Sequence, residues 1–120
     1  MAANAVDERF SFQQGLGRTF RLALNTSAQE LDGLPPGKYF LRLVGIGANT
    51  CWLRATPAGS ADDATVPAAV VLGTPDSVPV FPMDSDNAEL TLHVRKGKTD
   101  RVSAILTAGT ATMMITRIGE

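Results

Sequence analysis

His93 is the one histidine in the chain, and Asp100 and Ser103 follow it closely in sequence. Together they would be the parts of a hydrolytic triad, in which a hydroxyl attacks and the imidazole takes its proton. Nothing else in the sequence supports that chemistry. No G-x-S-x-G elbow is present, and any other serine would serve as well as Ser103. Gly97-Lys98-Thr99 matches the end of a phosphate-binding loop, but the motif needs a glycine at position 92, which is Leu. Asp62, Asp63, Asp84, Asp86 and Asn87 offer oxygen ligands of the type calcium takes, in two turns whose spacing fits no EF-hand. Cys51, the one cysteine, sits in a strand-like run and reads as a small buried hydrophobe. Trp52, if exposed beside Arg54, would stack on a sugar or on a partner aromatic, whereas packing on a sheet is the simpler role. No catalytic residue, metal ligand or cofactor site is therefore expected.

Composition narrows the classes further. A chain of 120 residues fits one domain. Formal net charge is −1, so there is no basic excess to neutralise phosphates, and nucleic acid is not expected as a partner. No apolar run approaches the ~18 residues of a membrane span. The first nine residues carry neither a basic n-region nor an apolar h-region. The expectation is a protein made in a cytoplasm without a secretory leader.

The elements that must carry these residues are strands. Arg18–Thr26 alternates, with Phe20, Leu22 and Leu24 inward. Glu8–Gln14 reads as a short strand, and Asn25–Asp32 as a polar connection. Leu34-Pro35-Pro36-Gly37 suits a type II turn, with Pro36 pre-setting φ and Gly37 supplying a positive value. Lys38–Ile46 is apolar on both faces apart from Arg42, as a central strand would be. Thr50–Thr56 puts Cys51, Leu53 and Ala55 on one face. Pro57–Thr65 has no pattern and reads as a mobile tip. Val66–Leu72 is a short apolar strand, and Ser77–Pro82 an edge or irregular one, because Pro79 cannot donate to a ladder. Glu89–Arg95 puts Leu90, Leu92 and Val94 inward.

Arg101–Ile118 holds two alternating runs around Thr107–Thr110. The pattern predicts a β-hairpin with Val102, Ala104 and Leu106 beside Ala111, Met113 and Ile115, and with Gly109 in the left-handed conformation. About eight or nine short strands with turns between them, and no helix, indicate an all-β sandwich or barrel. Residues 8–120 would form this single domain. Met1–Asp7, small, polar and without periodicity, would be an N-terminal arm.

Cys51-Trp52-Leu53-Arg54, the small acidic Ala58–Thr65 loop, the extended Val78–Pro82 piece, Ser103-Ala104-Ile105, and Gly109-Thr110 through Ile115-Thr116 together resemble a kind of small phage virion protein. The resemblance covers roughly the C-terminal 70 residues of the chain. It implies a jelly-roll-like antiparallel β-sandwich that decorates or cements a phage head. Its partners would be the major capsid protein and other copies of itself, as a dimer or trimer, on the capsid exterior of the virion. The contact residues would be Ala2, Ala3, Asn4, Ala5, Val6, Asp7 and Arg9 of the arm, and Ser60, Asp62 and Asp63 of the acidic loop. The competing readings are another virion β module (tail, neck or fibre), a carbohydrate-binding module using Trp52 and Tyr39, and a hydrolase using His93.

Overall fold

The computed structural model describes residues 19–67 and 80–119. Eight strands follow one another: β1 (Thr19–Leu24), β2 (Gln29–Asp32), β3 (Gly37–Val44), β4 (Cys51–Thr56), β5 (Phe81–Met83), β6 (Glu89–Val94), β7 (Arg101–Leu106) and β8 (Ala111–Gly119). No helix occurs among the described residues. The Glu8–Gln14 strand and the arm lie outside them. So do residues 68–72 of the expected Val66–Leu72 strand and 77–79 of the expected Ser77–Pro82 one; Val66 and Pro67 are not in a strand.

The front sheet has the order β1-β8-β3-β6 and the back sheet β2-β7-β4-β5. Strand β1 pairs β8, β2 pairs β7, β3 pairs β6 and β4 pairs β5, all antiparallel. The chain is thus one long two-stranded ribbon folded over on itself. The β3–β8 and β4–β7 ladders close the fold into two sheets. This strand order is that of an eight-stranded jelly roll.

Period-2 alternation fills the space between the sheets. From the front come Leu22 and Leu24, Leu41 and Leu43, and Met113 and Ile115. From the back come Cys51, Leu53, Met83, Val102, Ala104 and Leu106, and all of these are buried. In register, Leu22 lies opposite Met113 and Met113 opposite Leu43, so one apolar row crosses three strands. Each fully buried Leu or Ile contributes about 2 kcal/mol of transfer free energy. Leu34 and Ile46, from connections rather than strands, are buried as well.

The alternation of β7 and β8 holds, and so does the loop: residues 107–110 separate the strands and Gly109 has φ +71°. The hairpin does not form. β7 belongs to the back sheet and β8 to the front, and the loop is an arch between layers. Val102, Ala104 and Leu106 therefore face the β8 side chains across about 10 Å of core instead of lying beside them. Alternation specifies which residues point inward, not which strand is the neighbour. The backbone at this end is satisfied elsewhere: the Leu106 N–H donates to Asn25 O (2.9 Å) and the Thr107 N–H to Thr50 O (3.0 Å).

Two other expectations change. The Asn25–Asp32 connection contains β2, whose one apolar residue, Leu31, leaves almost no alternation to detect. Gly37 is not the centre of a type II turn, which needs φ near +80°. It begins β3 with φ +152°, and a Cβ there would lie 2.5 Å from Arg117 Nε and 2.7 Å from Gly119 O. Glycine stands at 37 because the end of β8 crosses close above it. β3 is central, as its two apolar faces indicated, and β5, with Pro82, is an edge strand.

Candidate functional site

Arg101 opens β7 on its outward side, opposite Asp32 of β2 and Thr56 of β4. An arginine in an outward position is ordinarily solvated, yet this one is 2% exposed. Residues 57–67 cross over it. Its guanidinium reaches three segments at once. Nη1 donates to Asp62 O (2.6 Å) and Thr56 Oγ1 (3.3 Å), and Nη2 donates to Asp63 Oδ1 (2.5 Å) and pairs with the Glu30 carboxylate. The Asp63 hydrogen bond, with Glu30 adding to it, raises the Arg101 pKa above its ordinary value against the opposing effect of burial. The cation is therefore held in its charged form. Glu30 and Asp63 keep about half of their side-chain surface in water, 52% and 48%, which lowers the desolvation cost of the network.

The crossing segment, called here the strap, is held along its length. The Ala58 N–H donates to Asp100 Oδ1 (2.7 Å) and the Gly59 N–H to both Asp32 carboxylate oxygens (3.2 Å). The Ala64 N–H donates to Ser103 Oγ (2.7 Å), where Ser103 is fully buried. Arg54 Nη1 donates to Asp63 O (3.3 Å), and its Nη2 stands 3.9 Å from Asp62 Oδ2. Pro57–Thr65, the candidate mobile tip, is thus laid on the back sheet instead of projecting from it. The strap is polar because its backbone N–H groups and carboxylates engage the outer face of the back sheet.

Asp100 anchors one end of this arrangement. Its Oδ2 accepts from the Gly97 N–H (3.0 Å) while Oδ1 holds Ala58. The Gly97 hydrogen bond lowers the carboxyl pKa most; burial opposes it, and the Ala58 N–H, the Asp100 N–H and the Lys96 charge reinforce it.

Of the sequence-derived contact residues, Ser60, Asp62 and Asp63 are brought together on the strap. Ser60 Oγ accepts from the Asp62 N–H (3.0 Å), and the Asp62 side chain is 70% exposed. Ala2, Ala3, Asn4, Ala5, Val6, Asp7 and Arg9 lie outside the described residues. The triad parts are not assembled: His93 is exposed on the front sheet, while Ser103 is under the strap and Asp100 serves two backbone donors. Gly97-Lys98-Thr99 forms the β6–β7 turn, where Thr99 Oγ1 donates to His93 O (2.9 Å) and accepts from the Arg95 N–H (2.9 Å). Asp84 Oδ1 caps its own turn through the Asp86 and Asn87 N–H groups. Among the described residues no group of three or more His, Cys, Asp or Glu is placed to hold a metal ion.

The aromatic platform is not formed either. Tyr39 lies in the core with its hydroxyl donating to Pro35 O (2.7 Å). Trp52 is half-buried on the far side of the back sheet, opposite Ile105 and Pro82. Cys51 is buried, as its place in β4 indicated, and burial pushes its thiol up to about 12.

Sequence reasoning missed Arg101, Glu30, Asp32 and Arg54. The available signal was a pair of polar residues, Arg101 and Ser103, at outward positions of an otherwise apolar strand. It does not say what covers them. Compared with protein-family models, curated proteins and solved structures, the chain matches none.

Proposed function

We propose that this chain is a non-enzymatic structural protein of a phage virion, one that binds the outside of the capsid shell and stabilises it by bridging major capsid protein subunits. The observation that carries the reading is the strap. It presents Ser60, Asp62 and Asp63 at the surface in one shape, fixed from below by a buried arginine. A contact loop that is already ordered loses less conformational entropy on docking, so more of its interaction energy appears as affinity. The jelly roll supplies a stiff scaffold for it, and the virion-protein resemblance of the C-terminal 70 residues supplies the class of partner. Copies repeated around a shell add avidity to a modest single contact. The arm, Ala2–Arg9, is the second contact in this reading.

The test is co-sedimentation of purified protein with bare phage heads, with a heat challenge in parallel. Saturable binding that raises head survival, weakened by D62K and by removal of residues 1–7 while the β-sheet circular dichroism is unchanged, is the expected result. No binding to heads would sink the proposal and move the weight to a tail, neck or fibre location. Unchanged binding by the shortened chain would remove the arm from it.

A further inference from the structure

Among the described residues, the two outward faces of the sandwich carry an opposite excess of charge. On the front sheet the cross-strand registers lay out a map. One row runs Arg21, Met114, Arg42, Glu89, and the next runs Thr19, Thr116, Phe40, Thr91. Lys38 and His93 follow on one side, and Ala23, Thr112 and Val44 on the other. Among the described residues two exposed cations, Arg21 and Arg42, thus stand against one exposed carboxylate, Glu89. Arg21 and Arg42 are exposed and hold no hydrogen bond or ion pair among the described residues. Between them Met114 and Phe40 are half-buried, and Val44 is 49% exposed. Arginine, methionine and aromatic side chains grouped at the centre of a patch are the composition of protein–protein contacts.

The opposite face is the strap side. Glu30, Asp32, Asp62 and Asp63 are all exposed there, against Arg54 and the buried Arg101. Four carboxylates meet two guanidinium groups, and both of those are already engaged from within.

We propose that the front face of one copy docks on the strap face of a second copy, with Arg21 and Arg42 meeting its exposed carboxylates. The complementary surface is present on the same chain, so the contact is heterologous: face to opposite face, closing into a ring or continuing as a stack. The front face measures about 20 Å by about 20 Å, from six-residue strands and inter-strand spacing. That is about 400 Å², half of the ~800 Å² per partner of a standard interface. The association is accordingly weak in dilute solution, driven by charge, and reinforced only when copies are already held side by side. The inference rests on the charge map alone; it uses the strap face proposed above as the shell contact, so a given strap meets one or the other, and the test contains no heads.

Sedimentation velocity on the full chain tests it, across protein concentration and at two salt levels. At 50 mM NaCl the weight-average sedimentation coefficient rises with concentration. Between 50 and 500 mM the association constant falls by about tenfold or more, as exposed charges are screened. R21E/R42E abolishes the rise, and so does D62R. A mixture of R21E/R42E with D62R restores it, because the intact front face of the D62R chain meets the intact strap face of the R21E/R42E chain. A protein monomeric at every concentration at 50 mM NaCl overturns the proposal. So does an association that R21E/R42E leaves unchanged, or a mixture that stays monomeric. The salt response of the unaltered chain keeps the test decisive if a variant folds poorly.

Discussion

Replacing Arg101 by methionine keeps the length of the side chain and removes its charge and donors. The substitution strands Glu30 and Asp63 against each other and leaves Asp62 O and Thr56 Oγ1 without their donor. Removing one partner of a fully buried ion pair costs about 3–5 kcal/mol. Here the two carboxylates are 52% and 48% exposed and can turn to water, so the lower end applies. A loss of about 3 kcal/mol is expected, most of it in the strap. Urea denaturation measures it: with an m-value of about 1.5 kcal/mol/M the midpoint falls by about 2 M. Amide hydrogen exchange adds the local readout, since the Ala58, Gly59 and Ala64 N–H groups are strap hydrogen bonds that open when the arginine goes. The network also predicts coupling. D63N in the native background should cost about 1–2 kcal/mol, and little or nothing in R101M, since the charge it answers is gone. An R101M protein within about 0.5 kcal/mol of the parent, with strap amides still protected, would refute the idea that this residue fastens the strap.

Gly37→Ala should destabilise by about 1–3 kcal/mol, because its Cβ meets backbone at Gly119 O as well as the Arg117 side chain; thermal unfolding measures this. The Cys51 thiol, pushed up to about 12, should react with a disulfide reagent at pH 8 only as fast as the fold opens. Because its folded pKa lies above the unfolded value, the associated stability is complete below pH ~8.5 and is lost as pH rises toward 12. Rapid labelling of the native protein would contradict its burial. For Asp100 the sign is opposite. Its folded pKa is depressed, so its contribution is present above the unfolded value of ~3.9 and is lost as pH falls through the lower folded pKa. D100N should therefore be less stable at neutral pH and should flatten the acid limb of a pH–stability profile; an unchanged acid limb would mean that other carboxylates set it.

The amino-acid order alone placed most of the described strands and the side chains that point inward. Leu22 and Leu24, Cys51 and Leu53, Val102, Ala104 and Leu106, and Met113 and Ile115 all follow from period-2 alternation, a property of each strand by itself. It also placed the break at residues 107–110 and the positive φ of Gly109, because those depend on neighbours in the chain. β2 was not legible, since four residues with one leucine carry no periodicity. The partner of β7 was not legible either. A four-residue connection allows a hairpin or an arch, and the β3–β8 and β4–β7 ladders decided for the arch. The strap was furthest from view. It is made of contacts between residues far apart in sequence, Ala58 with Asp100, Gly59 with Asp32, Ala64 with Ser103, and Asp63 with Arg101. Each of those residues, read locally, belongs in solvent. Only closure of the ribbon into two sheets puts the polar face of the back sheet under a polar segment, where burial of Ala64, Asp100, Arg101 and Ser103 makes their hydrogen bonds obligatory.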